Sequence, residues 1–97
     1  MPTYIIQSQW TDQGIRNVKE AAKRLDLGKK KLKEKGGEIK AFYMTTGQYD
    51  MLAVVDVPND TTLAEHVLWL GSQGNLRTQT VKAFTEDEFR RILGDLS

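Results

Sequence analysis

Residues 40–57, KAFYMTTGQYDMLAVVDV, decide the fold of this chain. Two runs rich in apolar, aromatic and β-branched residues, 38–46 and 51–57, predict a pair of strands. Between them lies the polar segment 47–50, GQYD, in which glycine tolerates a positive φ and aspartate can hydrogen-bond its own backbone. The stretch therefore predicts a β-hairpin, and the remaining segments are interpreted as the packing around it.

The segments on either side of this hairpin alternate between strand and helix patterns. Period-two alternation predicts strands at 3–10 and 76–84, and helical spacing of apolar residues predicts helices at 12–35, 61–70 and 86–96. Glycines 14 and 28 lower the helix propensity, so the first helix could be broken or kinked. The order β-α-β-β-α-β plus a C-terminal helix predicts an α+β, ferredoxin-like fold, a four-stranded antiparallel sheet with its first and third strands in the centre.

The hairpin strands also predict that both faces of the sheet are covered. Residues 38–46 carry bulky apolar groups at both alternating positions, and residues 51–57 are apolar except for Asp56. Soluble monomers rarely expose such a surface. We therefore expect a homodimer that packs sheet against sheet, as in the dimeric α/β barrels, with a trimer as the other assembly left open.

Length and composition limit the classes of protein to which this chain can belong. Its 97 residues suffice for a single domain, 1–97, and the net charge of +1 argues against a nucleic-acid-binding protein. The absence of cysteine excludes disulfides and thiolate metal sites. Because no apolar stretch approaches the ~18 residues of a membrane span and no signal segment is recognisable, we expect a cytoplasmic protein that makes no membrane contact.

The chain resembles the GYD-domain family, small bacterial and archaeal proteins named for the Gly, Tyr, Asp set seen here at Gly47, Tyr49 and Asp50. Gln48 separates the glycine from the tyrosine. The resemblance extends over YIIQSQWTDQGIRNVK, GGEIKAFYMTTGQYDMLAVV and LGSQGNLRTQTVKAFTEDEFRRI, in this order and spacing. It implies a ferredoxin-like domain of the dimeric α/β-barrel group. That wider group includes cofactor-poor monooxygenases, haem-degrading enzymes and ligand-sensing regulatory domains, an analogy of fold.

Six residues are candidates for ligand binding: Trp10, Tyr43, Tyr49, Asp50, His66 and Trp69. The two tryptophans and Tyr43 have large rings with polar tips, which suit either a packed core or the edge of an apolar ligand cavity. Tyr49 and Asp50 either satisfy the turn or place a phenol and a carboxylate at the rim of a pocket.

His66 is the single histidine, so a three-histidine metal site within one chain is excluded and no metal site is predicted. A lone histidine on a helix flank is most often a surface or half-buried residue. The functional alternatives are a general base, a hydrogen bond to a small ligand or a proximal haem ligand. No cofactor is predicted, and haem is the one alternative considered.

The function predicted from these features is that of a homodimeric small-ligand-binding or regulatory protein, whose ligand is small and apolar or aromatic. The alternative is a cofactor-independent monooxygenase-like or haem-binding enzyme of the dimeric α/β-barrel group. A third interpretation rests on five lysines, at 29, 30, 31, 33 and 35, which form either a solvated helix end or a patch that recruits an anionic partner. The sequence does not decide whether the protein is an enzyme.

Overall fold

The computed structural model describes residues 1–96; the last residue of the predicted domain, Ser97, lies outside the described part. The elements are β1 (Thr3–Trp10), α1 (Asp12–Arg16), a 3-10 turn (Val18–Glu20), α2 (Ala21–Glu34), β2 (Glu38–Met44), β3 (Met51–Asp56), α3 (Asp60–Ser72), β4 (Leu76–Ala83) and α4 (Glu86–Gly94). Within residues 1–96, no helix combines the length and the apolar content needed to cross a membrane.

The four strands form one antiparallel sheet in the order β2-β3-β1-β4, so β1 and β3 are central as predicted. Helices α2 and α3 cover one face of this sheet. The core between them and the sheet consists of five buried residues: Ile6, Leu32, Val55, Val57 and Leu63. The predicted ferredoxin-like fold is confirmed.

The helical segment predicted at 12–35, for which a break or kink was left open, is interrupted at Asn17 and consists of α1, a 3-10 turn and α2. The break follows from how tightly α1 is held. Thr11 donates from its backbone to the Asn75 carbonyl at 3.1 Å and from its hydroxyl to the Gly74 carbonyl at 2.6 Å. A Cβ on Gly14 would lie 2.0 Å from the Asn75 oxygen, so this glycine permits an approach that no other residue allows.

A β-bulge in β2 changes the interpretation of its apolar residues. The register against β3 shifts between Ile39 and Ala41, leaving Lys40 as the extra residue. Ile39, Phe42 and Met44 therefore all point to the helix side, although their spacing in the sequence assigns them to different faces. Only the remaining residues of this strand face away from the helices, so β2 supplies less apolar surface to the second face than expected.

The other side of the sheet, here called the open face, is defined by residues of opposite parity: Ile5, Gln7, Gln9, Ala41, Tyr43, Leu52, Val54, Arg77, Gln79 and Val81. Strand pairing aligns four of these apolar residues into a band across all strands, in the order Ala41, Val54, Ile5, Val81. Tyr43 and Val81 are 61% and 39% exposed. The single chain thus leaves an apolar band on a sheet face without a covering layer.

Helix α4 begins with the predicted capping box, in which Thr85 and Glu88 exchange hydrogen bonds between side chain and backbone. None of residues 86–94 is buried. Phe89, Ile92 and Leu93 are 54%, 45% and 50% exposed, so the apolar edge predicted for this helix lies on the surface of the single chain.

Candidate functional site

A cavity of about 420 Å³ lies between the helix-covered face of the sheet and the two covering helices. This sheet–helix cavity is walled mainly by apolar side chains, among them Ile6, Leu25, Phe42, Met44, Met51 and Leu70. Ligand pockets in proteins are typically ~300–1,000 Å³ and mostly apolar. The cavity therefore has the size and lining of a small-molecule site.

Small residues create this space where α2 crosses the sheet. Ala21 and Gly28 on the helix and Ala53 on β3 all line the cavity, and none of them reaches across it. Gly28 is buried, and a Cβ placed there would meet the Trp69 ring at 3.9 Å, which is ordinary contact. A larger side chain at one of these positions would therefore take up part of the space.

Seven residues with polar side-chain atoms also line the cavity: Ser8, Trp10, Arg24, His66, Trp69, Gln73 and Asn75. Two of their nitrogen atoms, Trp10 Nε1 and Arg24 Nη2, are buried without a hydrogen-bond partner in residues 1–96. None of the described lining residues is acidic. The cavity wall therefore contains two unpaired donors, one of them on a cationic side chain, and no acidic residue among those described.

His66 lies on α3 at the cavity wall and is 8% exposed. Its ring centroid is 5.8 Å from that of Trp69, and the Lys31 ammonium lies 5.0 Å from the centroid of the Trp69 ring. Burial lowers the pKa of His66 below its ordinary value, and the positive charge of Lys31 lowers this pKa further. The imidazole is therefore neutral at pH 7 and offers one donor and one acceptor.

The carboxylate of Asp50 holds the hairpin turn against the end of β1. Its Oδ2 accepts from the Trp10 backbone amide at 3.0 Å, and the Asp50 amide donates to the Ser8 carbonyl at 2.8 Å. Both contacts continue the pairing of β3 with β1 beyond the last ladder pair, Ser8 with Met51. Asp50 thus acts here through backbone groups, while the side chains of Ser8 and Trp10 line the cavity.

Tyr49 extends in the other direction, over the open face. Its hydroxyl donates to Oε1 of Gln79 on β4. Gln9 Nε2 donates to the Gln48 carbonyl at 2.7 Å, and the Thr45 hydroxyl donates to the Tyr49 carbonyl at 2.6 Å. The turn at residues 47–50 is therefore tied to β1 and β4 as well as to its own strands.

The structure divides the six predicted ligand-binding candidates between two places. Trp10, His66 and Trp69 line the sheet–helix cavity. Tyr43 lies on the open face opposite Leu52, Tyr49 reaches Gln79, and Asp50 bonds the Trp10 amide. The cavity residues therefore lie on the helix-covered face and Tyr43 and Tyr49 on the open face, while Asp50 contacts the backbone of the cavity residue Trp10.

Arg24 is the cavity residue that the sequence prediction missed. It follows Ala21 by three positions and precedes Gly28 by four, so all three share one face of α2. A charged residue within an otherwise apolar helical stripe was the available signal. Among residues 1–96, no cluster of three or more His, Cys, Asp or Glu side chains could hold a metal ion.

Comparison with known proteins identifies relatives in sequence. A family model described as GYD domain matches residues 4–93. A protein from Thermus thermophilus, named glutamine synthetase and cystathionine beta-lyase binding protein, is 31% identical over 84 residues, which cover 86% of this chain and 88% of that protein.

Solved structures share the architecture. The crystal structure of FFRP-DM1 matches with a TM-score of 0.61 at 20% identity, over 87% of this chain and 100% of that one. A hypothetical protein from Pyrococcus horikoshii matches with a TM-score of 0.56 at 22% identity, over 89% and 93% of the two chains. At these identities the likeness concerns the fold alone.

Proposed function

The chain belongs to the GYD-domain family, and from this premise we propose that it is a homodimeric, small-ligand-binding regulatory protein. The observation that carries the proposal is the sheet–helix cavity of about 420 Å³. An apolar wall with a few polar groups favours a small ligand with an apolar or aromatic body, since burial of such a body contributes most of the affinity.

The homodimer part of the proposal is supported by the apolar band on the open face. The band runs through Ala41, Val54, Ile5 and Val81 and contains no charged side chain. A two-fold interface brings the same patch of each subunit together, so a band that crosses the whole sheet can cover itself. The net charge of +1 provides little repulsion between two copies.

The regulatory part is supported by the turn at residues 47–50, which contacts both faces. Asp50 holds the backbone of Trp10, whose ring lines the cavity, and the adjacent Tyr49 lies on the open face against Gln79. A ligand that moves Trp10 would shift Tyr49 through this short connection. Ligand occupancy and dimer affinity would then be coupled in both directions.

Filling the cavity tests the ligand-binding proposal. In Gly28→Leu the new side chain projects towards Trp69 and occupies the space that a ligand would take. The matched control is Gly71→Leu, because a Cβ at this exposed position in α3 meets nothing within 4 Å. Thermal-shift screening with small aromatic and aliphatic metabolites should find ligands that stabilise the wild type and Gly71→Leu but not Gly28→Leu.

Sedimentation of the purified protein at micromolar concentration tests the assembly. A dimer is expected. A monomer would contradict the sheet-to-sheet interface, and a trimer would require a different packing of the open face.

A second candidate function is binding to metabolic enzymes. It is supported by the name of the Thermus thermophilus relative, and by the exposed apolar edge of α4, which offers a surface to another protein. Co-sedimentation with purified glutamine synthetase or cystathionine beta-lyase tests it. Binding that is lost in Phe89→Lys but kept in Arg90→Lys would support this function, and no binding to either enzyme would exclude these partners.

The haem-binding alternative depends on His66, which is buried at the cavity wall. A haem titration should produce a Soret band that His66→Ala abolishes if this histidine ligates iron. An unchanged spectrum in the wild type ends this alternative without affecting the proposed ligand-binding function.

A further inference from the structure

We propose that the sheet–helix cavity selects ligands with a single carboxylate on an apolar body, and that Arg24 and Trp10 recognise this carboxylate. The inference rests on the proposed ligand-binding function and adds the chemical class of the ligand. It comes from the polar atoms that the protein buries at the cavity wall without pairing them.

One nitrogen of the Arg24 guanidinium forms a hydrogen bond within the protein. Its Nη1 donates to the carbonyl of Asn17, at the break between α1 and α2, at 3.1 Å. Its Nη2 is buried without a partner in the described residues. One bond therefore orients the group, while Nη2 has no acceptor among the described residues.

Within residues 1–96, Arg24 forms no ion pair. The ion pairs formed within residues 1–96 involve Lys23, Lys35, Lys40 and Arg90, all at exposed positions. Arg24 has no such partner in this part of the chain, and the described cavity wall contains no carboxylate. A buried, unpaired cationic donor is costly, and a bound anion relieves that cost.

Trp10 adds a second donor of the same kind. Its Nε1 is also buried at the cavity wall without an acceptor among residues 1–96. An indole N–H can only donate, and a guanidinium can only donate. In the proposed site a carboxylate accepts from both residues, with one oxygen for each donor.

The other residues that line the cavity determine which apolar body and how many carboxylates a ligand can have. Leu25, Phe42, Met44 and Met51 present apolar surface, and the two methionines can adapt to an aliphatic chain or an aromatic ring. His66 adds no second positive charge at neutral pH, because burial and Lys31 lower its pKa. One cation in an apolar cavity favours a monocarboxylate over a dicarboxylate.

Matched pairs of probes separate the carboxylate from its apolar body. We expect octanoate to bind the wild type at least about tenfold more tightly than 1-octanol, a difference of about 1.4 kcal/mol. The same preference is expected for 4-phenylbutyrate over 4-phenylbutan-1-ol. Isothermal calorimetry measures the affinities, and tryptophan fluorescence provides a second signal because Trp10 and Trp69 line the cavity.

Substitutions then assign the selectivity to the two donors. Arg24→Met keeps the apolar stem but removes the guanidinium. It should lower the affinity for each acid to about that for the matching alcohol, and the affinity for the alcohol should not change. Trp10→Phe keeps a ring and should weaken carboxylate binding several-fold. The control is Arg16→Met, since Arg16 is exposed on α1 and does not line the cavity.

The outcomes distinguish this inference from the function on which it rests. Equal affinity for acid and alcohol, or an unchanged carboxylate affinity in Arg24→Met, overturns the carboxylate assignment and keeps the ligand pocket. Failure of both acids to bind at millimolar concentration overturns the carboxylate assignment, while the thermal-shift screen with Gly28→Leu decides the pocket function separately. If Arg24→Met does not fold, the comparison of acid and alcohol in the wild type and in Trp10→Phe still decides the question.

Discussion

The two faces of the sheet carry apolar residues for different purposes. On the helix-covered face, bulky residues such as Ile6 and Val55 are buried, yet small residues leave a cavity with unpaired donors. On the open face, an apolar band crosses four strands without any cover from the same chain. The two faces therefore differ in cover: helices enclose a cavity on one, and the other presents an apolar band in the described part of the chain.

The hairpin turn separates these roles because its two named polar residues act on different faces. Asp50 bonds the backbone of a cavity-lining residue, and Tyr49 spans the open face. A family motif that looks like one site in the sequence is thus a connection between two surfaces.

The largest expected effect comes from disturbing the close contact between α1 and the residue before β4. Gly14→Ala places a methyl group 2.0 Å from the Asn75 carbonyl oxygen, and this backbone atom cannot move without displacing the start of β4. We expect a loss of about 3 kcal/mol in the free energy of unfolding, at the upper end for overpacking. Urea unfolding measures it, with Gly71→Ala as the control that meets no neighbouring atom. Equal stability of the two variants would contradict the tight contact of α1.

A smaller change in free energy is expected when a charge on the open face weakens self-association. Val54→Lys places an ammonium group in the middle of the apolar band and should weaken self-association at least about 100-fold, or about 2.8 kcal/mol. The fold of each subunit should survive, because the lysine can reach solvent in the monomer. Sedimentation measures the assembly, and Leu68→Lys on α3, which is 73% exposed and off the sheet, is the control. A dimer that persists in Val54→Lys excludes this face as the interface.

The stability of the turn at residues 47–50 should depend on the hydrogen-bond acceptor that Asp50 provides and not on its negative charge. Asp50→Ala leaves the Trp10 amide without its partner and should cost about 2 kcal/mol of stability. Asp50→Asn keeps an oxygen in that position, so a loss below about 1 kcal/mol is expected. Thermal unfolding of both variants checks this order. A large loss of ligand affinity in a stable Asp50→Asn protein would instead assign the carboxylate to the binding site.

The smallest expected effect is a pH dependence on the covered face. The pKa of His66 is lowered in the folded protein, so the unfolded chain takes up the proton first as the pH falls. The free energy of unfolding should therefore decrease as the pH falls below about 6.5, until the pH passes the pKa of His66 in the folded protein. The total decrease is about 1.4 kcal/mol for each unit by which folding lowers this pKa. Unfolding curves between about pH 7.5 and 5.5 measure this, and His66→Gln should remove this part of the slope. A slope of the opposite sign would show that the folded protein favours the charged imidazole.

Much of this architecture could be predicted because it depends on neighbours along the chain. Period-two and helical spacing located all four strands, the two covering helices and the capping box at Thr85 and Glu88. The order of the elements then placed β1 and β3 in the centre of the sheet. These features follow from local backbone preferences and from the need to bury one stripe or face of each element.

The candidate site could be predicted only in part, because contacts across the fold decide it. Trp10, His66 and Trp69 were identified by residue type, but their shared cavity depends on how α2 and α3 lie over the sheet. The bulge at Lys40 places Ile39 and Phe42 on the same face, and no periodic pattern records such a shift.

The sequence by itself determined which segments are strands and helices, and which family they belong to. The tertiary structure alone decided that Gly14 meets the Asn75 carbonyl, that Arg24 keeps an unpaired nitrogen at a cavity wall, and that Tyr49 and Asp50 serve opposite faces. The physical reason is the distance along the chain over which each effect acts. Secondary-structure propensity and hydrophobic periodicity depend on residues that are close in sequence. Burial, charge compensation and close approach depend on atoms that are brought together from distant parts of the chain.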